Sequence, residues 1–380
     1  MEVSKIMKLL VFSDFDSRLK WGLTLAHYIA DMFGKVVVYH REDTLRQVEG
    51  YISKDYIIKH YDNRKKLLER EDIFGDFDVI ILAMGGTENI YFLNQLNKYF
   101  RKHHKRPVII SGMNGLTDCE DMHALLCRIG ADIICINSKR NFDVFRERLQ
   151  YFGIANENLL MFGYARIYKN DTKMVSNIQD GQVMLFIGQA NMPSQKKQYK
   201  YLMNKIREYA SKHPKNTIII KNRDITHKDH MNAYFKRKEI FQLWRWKYRF
   251  QKKPNNLIVS NESIEDLLDR ADVCLGFYST ALLEAINLGI PTLIINDFGI
   301  GRNIGNHDFI ESGLLASLDD WIDNKIPSVN QQWKDENCNF VTRREIDQLR
   351  NMLINKLKED KKEIEQYYSE KKFPYFYFKN

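Results

Sequence analysis

Two acidic residues follow the first apolar run of the sequence and have the chemistry of a general base. Residues 7–14 read MKLLVFSD, a buried strand ending in polar residues, and Asp16 follows two positions later. Open parallel α/β sheets bind ligands at the carboxyl ends of their strands. A carboxylate there can take a proton from an attacking hydroxyl group, so Asp14 and Asp16 are the candidate catalytic residues. For either one, the alternative is a cap of the following helix or an ion pair with Arg18.

A second candidate site comes where another strand is followed by hydroxyl residues and a helix. Residues 271–295 read ADVCLGFYSTALLEAINLGIPTLII, with Tyr278, Ser279 and Thr280 between the strand and the helix. The first amides of a helix and its dipole both favour an anion, so this turn predicts a phosphate site. The alternative is an ordinary Ser or Thr N-cap.

Apolar strands and amphipathic helices alternate along both halves of the chain, which indicates parallel sheets covered on both faces. A polar, turn-rich stretch at 167–181 separates the two series. We therefore predict an α/β protein with two Rossmann-like domains, at 1–170 and 181–341, facing across a cleft. Residues 342–380 are predicted to form a C-terminal helix and a basic aromatic tail.

The composition excludes a disordered, collagen-like or integral membrane protein. The 380 residues are 44% hydrophobic with only 7 Pro, and no run approaches the roughly 18 apolar residues that cross a bilayer. The first apolar stretch is too short for a secretion signal, so we expect a cytoplasmic location. The 5 Cys form an odd set without a CxxC pair, so neither disulfides nor structural zinc are expected.

The net charge of +9 is concentrated in one segment. Residues 191–253 hold 18 Lys and Arg against four Asp and Glu, and aromatic residues alternate with the basic ones at 244–250. Such a segment suits nucleic acid, anionic lipid or phosphorylated substrates, and a solvated helix face is the alternative. The final EKKFPYFYFKN suits a membrane interface or docks on its own protein.

Several stretches together resemble GT-B glycosyltransferases, particularly bacterial enzymes of capsule and lipopolysaccharide synthesis and, more distantly, bacterial sialyltransferases and polysialyltransferases. Besides 271–295, they are SDFDSRLKWG, FIGQANMPS, IIIKNRDITH and DFGIGRNIGNHDFIESGLL. The resemblance covers about Leu9 to Leu315. It implies an α/β GT-B fold with acceptor binding in the first domain and nucleotide-sugar binding in the second.

The resemblance also implies an activity: transfer of a sugar from a CMP- or UDP-activated donor to a cell-surface glycan or lipid-linked glycan, with inversion. We expect no cofactor and no metal, because fixed cations or amides can balance the leaving-group charge. Peripheral contact with the inner face of the membrane would bring the enzyme to its acceptor.

Further candidate site residues lie after predicted strands and in the loops behind them, in keeping with this resemblance. The candidate donor-binding residues are Gln189, Lys221, Arg223, His227, Tyr278, Ser279, Thr280, Glu284, Arg302 and Asn303. The candidate acceptor-binding residues are Ser13, Ser17, Arg18, Gly85, Gly86 and Asn114. The alternatives are solvated surface cations for Lys221 and Arg223, a helix salt bridge for Glu284 and plain tight turns for the glycines.

Two other functions remain open. One is a nucleotide-sugar epimerase or hydrolase, which uses the same two-domain fold on soluble substrates. The other is a non-catalytic nucleic-acid or glycan-binding protein that uses the basic segment, for which loss of generic DNA binding at high salt would be the evidence. Nucleic acid is the less expected partner.

Overall fold

Two separate parallel sheets form the framework of the chain. The computed structural model describes residues 6–41, 48–165, 181–189, 192–221, 254–359 and 362–363. One unit comprises 1–167 and 339–380, and the other comprises 168–338. The predicted linker up to residue 180, the segment 222–253 with Arg223 and His227, and the tail from residue 364 lie outside the described residues.

The first unit contains a seven-stranded parallel sheet in the order β3-β2-β1-β4-β5-β6-β7. Its strands are β1 (Lys8–Ser13), β2 (Lys35–His40), β3 (Ile57–His60), β4 (Val79–Ala83), β5 (Val108–Gly112), β6 (Ile133–Ile136) and β7 (Leu159–Met161). Its helices are α1 (Asp16–Ile29), α2 (Arg64–Leu68), α3 (Asp72–Gly75), α4 (Gly86–His103), α5 (Met122–Leu126), α6 (Lys139–Tyr151) and, from the end of the chain, α12 (Arg343–Lys358). The strand order reverses between β1 and β4, and this switch point is where such sheets bind ligands.

Apolar side chains on both faces of the strands explain why this sheet is buried on both sides. Leu10 and Phe12 of β1 join one apolar cluster, whereas Leu9 and Val11 join the other, because successive side chains of a strand point to opposite faces. α12 contributes Leu349 and Leu353 to the second cluster. Its residues therefore pack as part of the first unit.

The second unit repeats the design with six parallel strands in the order β10-β9-β8-β11-β12-β13. The strands are β8 (Val183–Ile187), β9 (Thr217–Lys221), β10 (Leu257–Ser260), β11 (Val273–Gly276), β12 (Thr292–Ile295) and β13 (Leu315–Ala316). The helices are α7 (Lys196–Lys212), α8 (Ile264–Leu268), α9 (Thr280–Asn287), α10 (Leu318–Ile322) and α11 (Gln331–Asn337). Here the order reverses between β8 and β11.

Local differences from the sequence expectations have physical reasons. β3 gives little apolar pattern because three of its four residues are exposed. α4 begins at Gly86, so this residue is the first of a helix rather than part of a loose turn, and Gly85 is the N-cap. Among the described residues, no helix is long and apolar enough to span a bilayer.

Candidate functional site

Asp14 lies at the switch point of the first sheet and is only 4% exposed. Its Oδ2 accepts a hydrogen bond from Arg18 Nη1 at 2.7 Å and lies 3.5 Å from the backbone N of Gly85. Its Oδ1 is buried and has no hydrogen-bond partner among the described residues. Arg18 thus holds one carboxylate oxygen in place, and the other can accept a proton or a hydrogen bond.

Asp14 opens into a pocket of about 420 Å³ at this sheet edge. The lining residues of this Phe15 pocket are Asp14, Phe15, Arg18, Arg41, Tyr61, Asp62 and Glu88. The buried Tyr61 hydroxyl donates to the Ser13 carbonyl at 2.8 Å, which fixes the end of β1 against the residue after β3. The guanidinium carbons of Arg18 and Arg41 lie 5.0 and 5.8 Å from the Phe15 ring centroid.

Asp16 and its neighbours occupy different surroundings. Asp16 begins α1, and its Oδ1 accepts from the Ser17 backbone N at 2.6 Å. Ser17 is exposed, and Asn114, beyond β5, is partly buried; neither lines the Phe15 pocket. Ser13 is fully buried, and its hydroxyl donates to the Phe15 carbonyl. Of the two candidate bases, only Asp14 lines the pocket.

Gly85 and Gly86 provide room for side chains. A Cβ at Gly85 would lie 2.9 Å from Arg18 Nη1, and a Cβ at Gly86 would lie 3.1 Å from Cys127 Sγ. At these two glycines the groups that approach the backbone closely are therefore side chains of the protein, Arg18 and Cys127, and not a ligand as the sequence suggested. Gly85 in particular allows Arg18 to cross the start of α4 toward Asp14.

Cys127 and His123 form a pair beside the start of α4, with Sγ and Nε2 3.3 Å apart. Burial is the main cause that raises the pKa of the Cys127 thiol above its usual value. A nucleophilic cysteine requires the opposite shift. We therefore assign this pair to packing.

In the second sheet, most of the candidate donor-binding residues that the structure describes follow strands at or near the switch point. Gly276 pairs with Ile187, which places the residues after β11 beside Gln189. Lys221 ends the neighbouring strand β9, where its carbonyl accepts from the Gly188 backbone N. The Oε1 of Gln189 is buried and has no hydrogen-bond partner among the described residues. Amide, cation and hydroxyl groups thus follow adjacent strands.

Ser279 is the N-cap of α9. Its Oγ accepts a hydrogen bond from the Ala281 backbone N at 3.2 Å. This is the ordinary N-cap that the sequence offered as the alternative to a phosphate site at this turn. Tyr278, Ser279 and Thr280 are all partly exposed, and Glu284 lies partly buried one turn into the helix. The cap uses one of the first amides and is compatible with an anion at the others.

A glycine-containing loop packs on Tyr278. Gly305 has φ +91°, and a Cβ there would lie 2.7 Å from Tyr278 Cγ. The fully buried Asn306 holds the loop, since its Oδ1 accepts from the Gly301 N and its Nδ2 donates to the Gly299 carbonyl. Arg302 and Asn303 are exposed in the same loop. The structure therefore joins the loop and the α9 turn in one surface.

Four residues that line the Phe15 pocket were not predicted from the sequence: Phe15, Arg41, Tyr61 and Glu88. Arg41 and Tyr61 directly follow β2 and β3, so a search of every position after a parallel strand would have found them. Glu88 lies in the first turn of α4. Tyr61 was missed because the sequence did not predict β3, the strand that it directly follows.

Solved structures with the same fold support the two-unit architecture. A "putative UDP-N-acetylglucosamine 2-epimerase" from Listeria monocytogenes is 12% identical, with a TM-score of 0.60 over 94% of this chain and 99% of that chain. The wall teichoic acid polymerase TagF is 12% identical, with a TM-score of 0.55 over 92% of this chain and 88% of that chain. UGT89C1 from Arabidopsis thaliana, in complex with UDP-L-rhamnose, is 12% identical, with a TM-score of 0.53 over 93% and 96%. At these identities the likeness shows the fold.

No curated protein sequence matches the chain. The model of one family, described as "Putative glycosyltransferase (DUF6716)", matches residues 9–355. This match includes both sheets and both switch points. The chain is therefore a member of this glycosyltransferase family, and its two parallel α/β sheets have the GT-B fold.

Proposed function

We propose that the protein transfers a sugar from a nucleotide-activated donor to a hydroxyl group of a glycan, with inversion, and that Asp14 is the general base. The observation that carries this proposal is the asymmetric environment of the Asp14 carboxylate. Arg18 holds Oδ2, while Oδ1 is buried without a hydrogen-bond partner among the described residues and the side chain lines a pocket. The unpartnered Oδ1 leaves this carboxylate one hydrogen-bonding position, which the hydroxyl group of the acceptor would fill as its proton is removed.

The donor site of the proposal is the switch point of the second sheet. The first amides of α9, with Ser279 and Thr280, would hold the phosphates, because the dipole of the helix favours negative charge. Gln189 and Tyr278 would contact the nucleotide, and Glu284 its ribose. The complex of the structural neighbour UGT89C1 with UDP-L-rhamnose supports a nucleotide-sugar donor. CMP and UDP are the proposed donor nucleotides.

We propose that transfer needs no metal. Asp14, Phe15 and Asp16 have an Asp-x-Asp spacing, as do residues 76–78. Arg18, however, lies 2.7 Å from the Asp14 carboxylate, and a fixed guanidinium opposes a divalent cation at the same oxygens. Transfer in EDTA at the rate seen with added magnesium is the expected result.

The proposed acceptor is a capsule, lipopolysaccharide or related surface glycan, reached at the inner face of the cytoplasmic membrane. The basic aromatic segment and the tail support this proposal by their composition, which suits anionic headgroups. Cosedimentation with vesicles that contain anionic lipid, but not with neutral vesicles, would test the membrane contact.

Thermal unfolding of the full chain with CMP, UDP, GDP or dTDP, in EDTA, tests the donor site. A ligand at a hundredfold excess over its Kd stabilises a protein by about 2.7 kcal/mol. We expect one nucleotide to raise the Tm and the double variant Ser279→Ala/Thr280→Ala to lose that shift. Ser263→Ala is the matched control, because Ser263 is also a serine N-cap of the second unit, at α8.

The alternatives give different outcomes. Conversion of a UDP-sugar to its epimer, or its hydrolysis, without any acceptor would favour the epimerase or hydrolase function. If no nucleotide raises the Tm while DNA does, the transferase proposal fails and the binding-protein alternative replaces it.

A further inference from the structure

Tyr201, in the first half of α7, connects this helix with the loop that follows β12. Its hydroxyl donates to Asp297 Oδ1 at 2.8 Å. The other carboxylate oxygen, Oδ2, accepts from the Leu318 backbone N at the start of α10, also at 2.8 Å. Asp297 is therefore held from two sides. It is the first residue of the 297–305 loop, whose last residue packs on Tyr278.

Aromatic rings continue this connection toward the start of α9. The Tyr201 ring meets Phe298 edge to face, with the ring centroids 5.9 Å apart. Phe298 in turn stacks on Phe277, with centroids 5.5 Å apart and 21° between the ring planes. Phe277 is fully buried and directly precedes Tyr278. Tyr201 thus contacts the first two residues of the loop, and the second of them packs beside the α9 turn.

The far end of the 297–305 loop is fixed by a different residue. The buried Asn306 bonds two backbone groups of the loop. Arg302 and Asn303 are exposed between the two fixed ends. Their position therefore depends on both ends, and Asp297 sets the near one.

Other contacts already hold α7 on α10. Lys205 pairs with Asp319 of α10 at 2.6 Å. Tyr209 stacks on Trp321, with the ring planes 1° apart. These contacts lie one and two turns beyond Tyr201 on α7. The Tyr201 hydroxyl is used instead to fix the loop, which is the arrangement of a group that positions a binding site from behind.

The Tyr201 hydroxyl keeps its proton at neutral and mildly alkaline pH. Burial, together with the hydrogen bond to Asp297, raises the pKa of Tyr201 to about 12. A carboxylate can only accept, so its partner has to be a protonated donor. The bond that fixes Asp297 is therefore present throughout this pH range.

We propose that Tyr201 is a positioning residue of the donor site. Acting through Asp297, it holds the 297–305 loop beside the α9 turn, so that Arg302 and Asn303 lie where the nucleotide-sugar binds. This inference rests on the proposed function, because it assigns a role in the donor site of that proposal. Tyr201 itself contacts neither donor nor acceptor in this scheme.

Tyr201→Phe removes the hydroxyl and keeps the ring on Phe298. The probe is whichever of CMP, UDP, GDP and dTDP stabilises the parent chain, and calorimetry measures its Kd. We expect a Kd about three- to tenfold higher, the size of one hydrogen bond to a carboxylate. The Tm without nucleotide should change little, because the ring and the helix contacts remain.

Tyr209→Phe is the matched control. Tyr209 is a tyrosine of the same helix, but its hydroxyl accepts from Asn216 Nδ2 at 2.7 Å, directly before β9. This variant should lower the Tm and leave the Kd unchanged. If Tyr201→Phe gives this same pattern, its role is structural and the proposal is overturned.

Hydrogen exchange without nucleotide tests the loop itself. Peptides that cover 297–318 contain the amides of Gly301 and Leu318, which bond the side chains that fix the loop. Tyr201→Phe should speed exchange in these peptides by about twofold or more, and Tyr209→Phe should not. Unchanged exchange in Tyr201→Phe overturns the proposal.

A double-mutant cycle tests the route through Asp297. Asp297→Ala should raise the Kd at least as much as Tyr201→Phe, and the double variant should bind no more weakly than Asp297→Ala alone. Additive losses contradict a role of Tyr201 through Asp297.

This proposal and the proposed function fail in different ways. If no nucleotide binds the parent chain, the proposed donor site fails and this inference fails with it. If a nucleotide binds the parent chain and Tyr201→Phe equally well, the donor site stands and this inference alone is wrong.

Discussion

At the scale of single residues, two aspartates that look equivalent in the sequence differ in burial, in hydrogen bonding and in whether they line a pocket. Asp14 is almost fully buried and lines a pocket, whereas Asp16 is half-buried and bonds the amide that follows it. Burial without a partner on one oxygen is costly unless a ligand uses that oxygen. This difference separates a candidate base from a helix-start residue.

We expect Asp14→Asn to lower the rate of sugar transfer by about 10²- to 10⁴-fold, because an amide cannot accept the proton. The nucleotide-dependent Tm shift should remain, since the proposed donor site lies in the second unit. Asp16→Asn is the matched control and should leave the rate nearly unchanged. The measurement is initial rate with saturating donor. Equal losses in both variants would remove Asp14 from its assigned role.

At the scale of elements, the loop that carries Arg302 depends on one glycine. Gly305 and Gly289 both have positive φ, +91° and +74°, but only a Cβ at Gly305 meets Tyr278. An alanine would therefore strain the backbone at both positions, but only at Gly305 would its Cβ contact Tyr278, the residue before the N-cap of α9.

Gly289→Ala and Gly305→Ala should both lower the free energy of unfolding, by about 1 kcal/mol or more, because alanine disfavours positive φ. Only Gly305→Ala should also weaken nucleotide binding, since it displaces Tyr278. Thermal unfolding with and without the nucleotide separates the two effects. If both variants bind nucleotide like the parent chain, the loop takes no part in the donor site.

Arg350 connects the C-terminal helix α12 with the end of α1. The Nε and Nη2 atoms of Arg350 donate to the Tyr28 carbonyl, and its Nη1 and Nη2 atoms form a bidentate pair with Asp31, which follows α1. The hydrogen bond and charge of Arg350 hold the pKa of Asp31 below its usual value. Because Asp31 is largely exposed, the bonds to the carbonyl are the larger contribution.

Arg350→Ala should lower the free energy of unfolding by about 1–3 kcal/mol, the usual range for lost charge-assisted hydrogen bonds. A lowered pKa in the folded state means that the Asp31 contribution is present above the unfolded pKa, near 4, and is lost as the pH falls through the folded pKa. Urea unfolding at pH 7 and pH 3 should thus show a smaller effect of Arg350→Ala at pH 3.

Arg343→Ala, which removes the exposed partner of Asp347 on the same helix, is the control and should lower the free energy of unfolding by less than about 1 kcal/mol. An effect of Arg350→Ala that grows at pH 3 would contradict this account.

At the scale of the whole molecule, each unit encloses its own apolar core, and the cysteines belong to those cores. All five are free and buried, with three in the first unit and two in the second. Burial raises the pKa of the Cys135 thiol and raises that of Cys338 to about 12. The thiols of Cys135 and Cys338 are therefore almost entirely protonated at neutral pH.

We expect the native protein to react slowly with a thiol reagent such as DTNB at pH 8 and to give five reactive thiols per chain in urea. Burial limits both reagent access and ionisation. Reaction at rising urea, followed by absorbance, would also show whether the thiols appear in sets of three and two. Fast reaction of any thiol without urea would contradict the predicted protection.

Most of the architecture could be predicted because it depends on local pattern. Runs such as VIILA in β4 are apolar at every position, and glycine and serine residues follow them. β3 was missed because an edge strand buries little and lacks the pattern. The helical start at Gly86 was missed because glycines in sequence favour a turn, whereas here they accommodate Arg18 and Cys127.

The sequence by itself determined the alternation of strands and helices, the Rossmann-like character of both halves and the acidic and hydroxyl residues at strand ends, since each depends on neighbours in the chain. Only the tertiary structure distinguished the buried, pocket-lining Asp14 from Asp16, brought Arg41 and Tyr61 to the Phe15 pocket from other strands, and packed the Gly305 loop on Tyr278. These contacts join residues far apart in sequence. Burial and distance, which select one candidate over another, exist only after the strands have taken their order in the sheet.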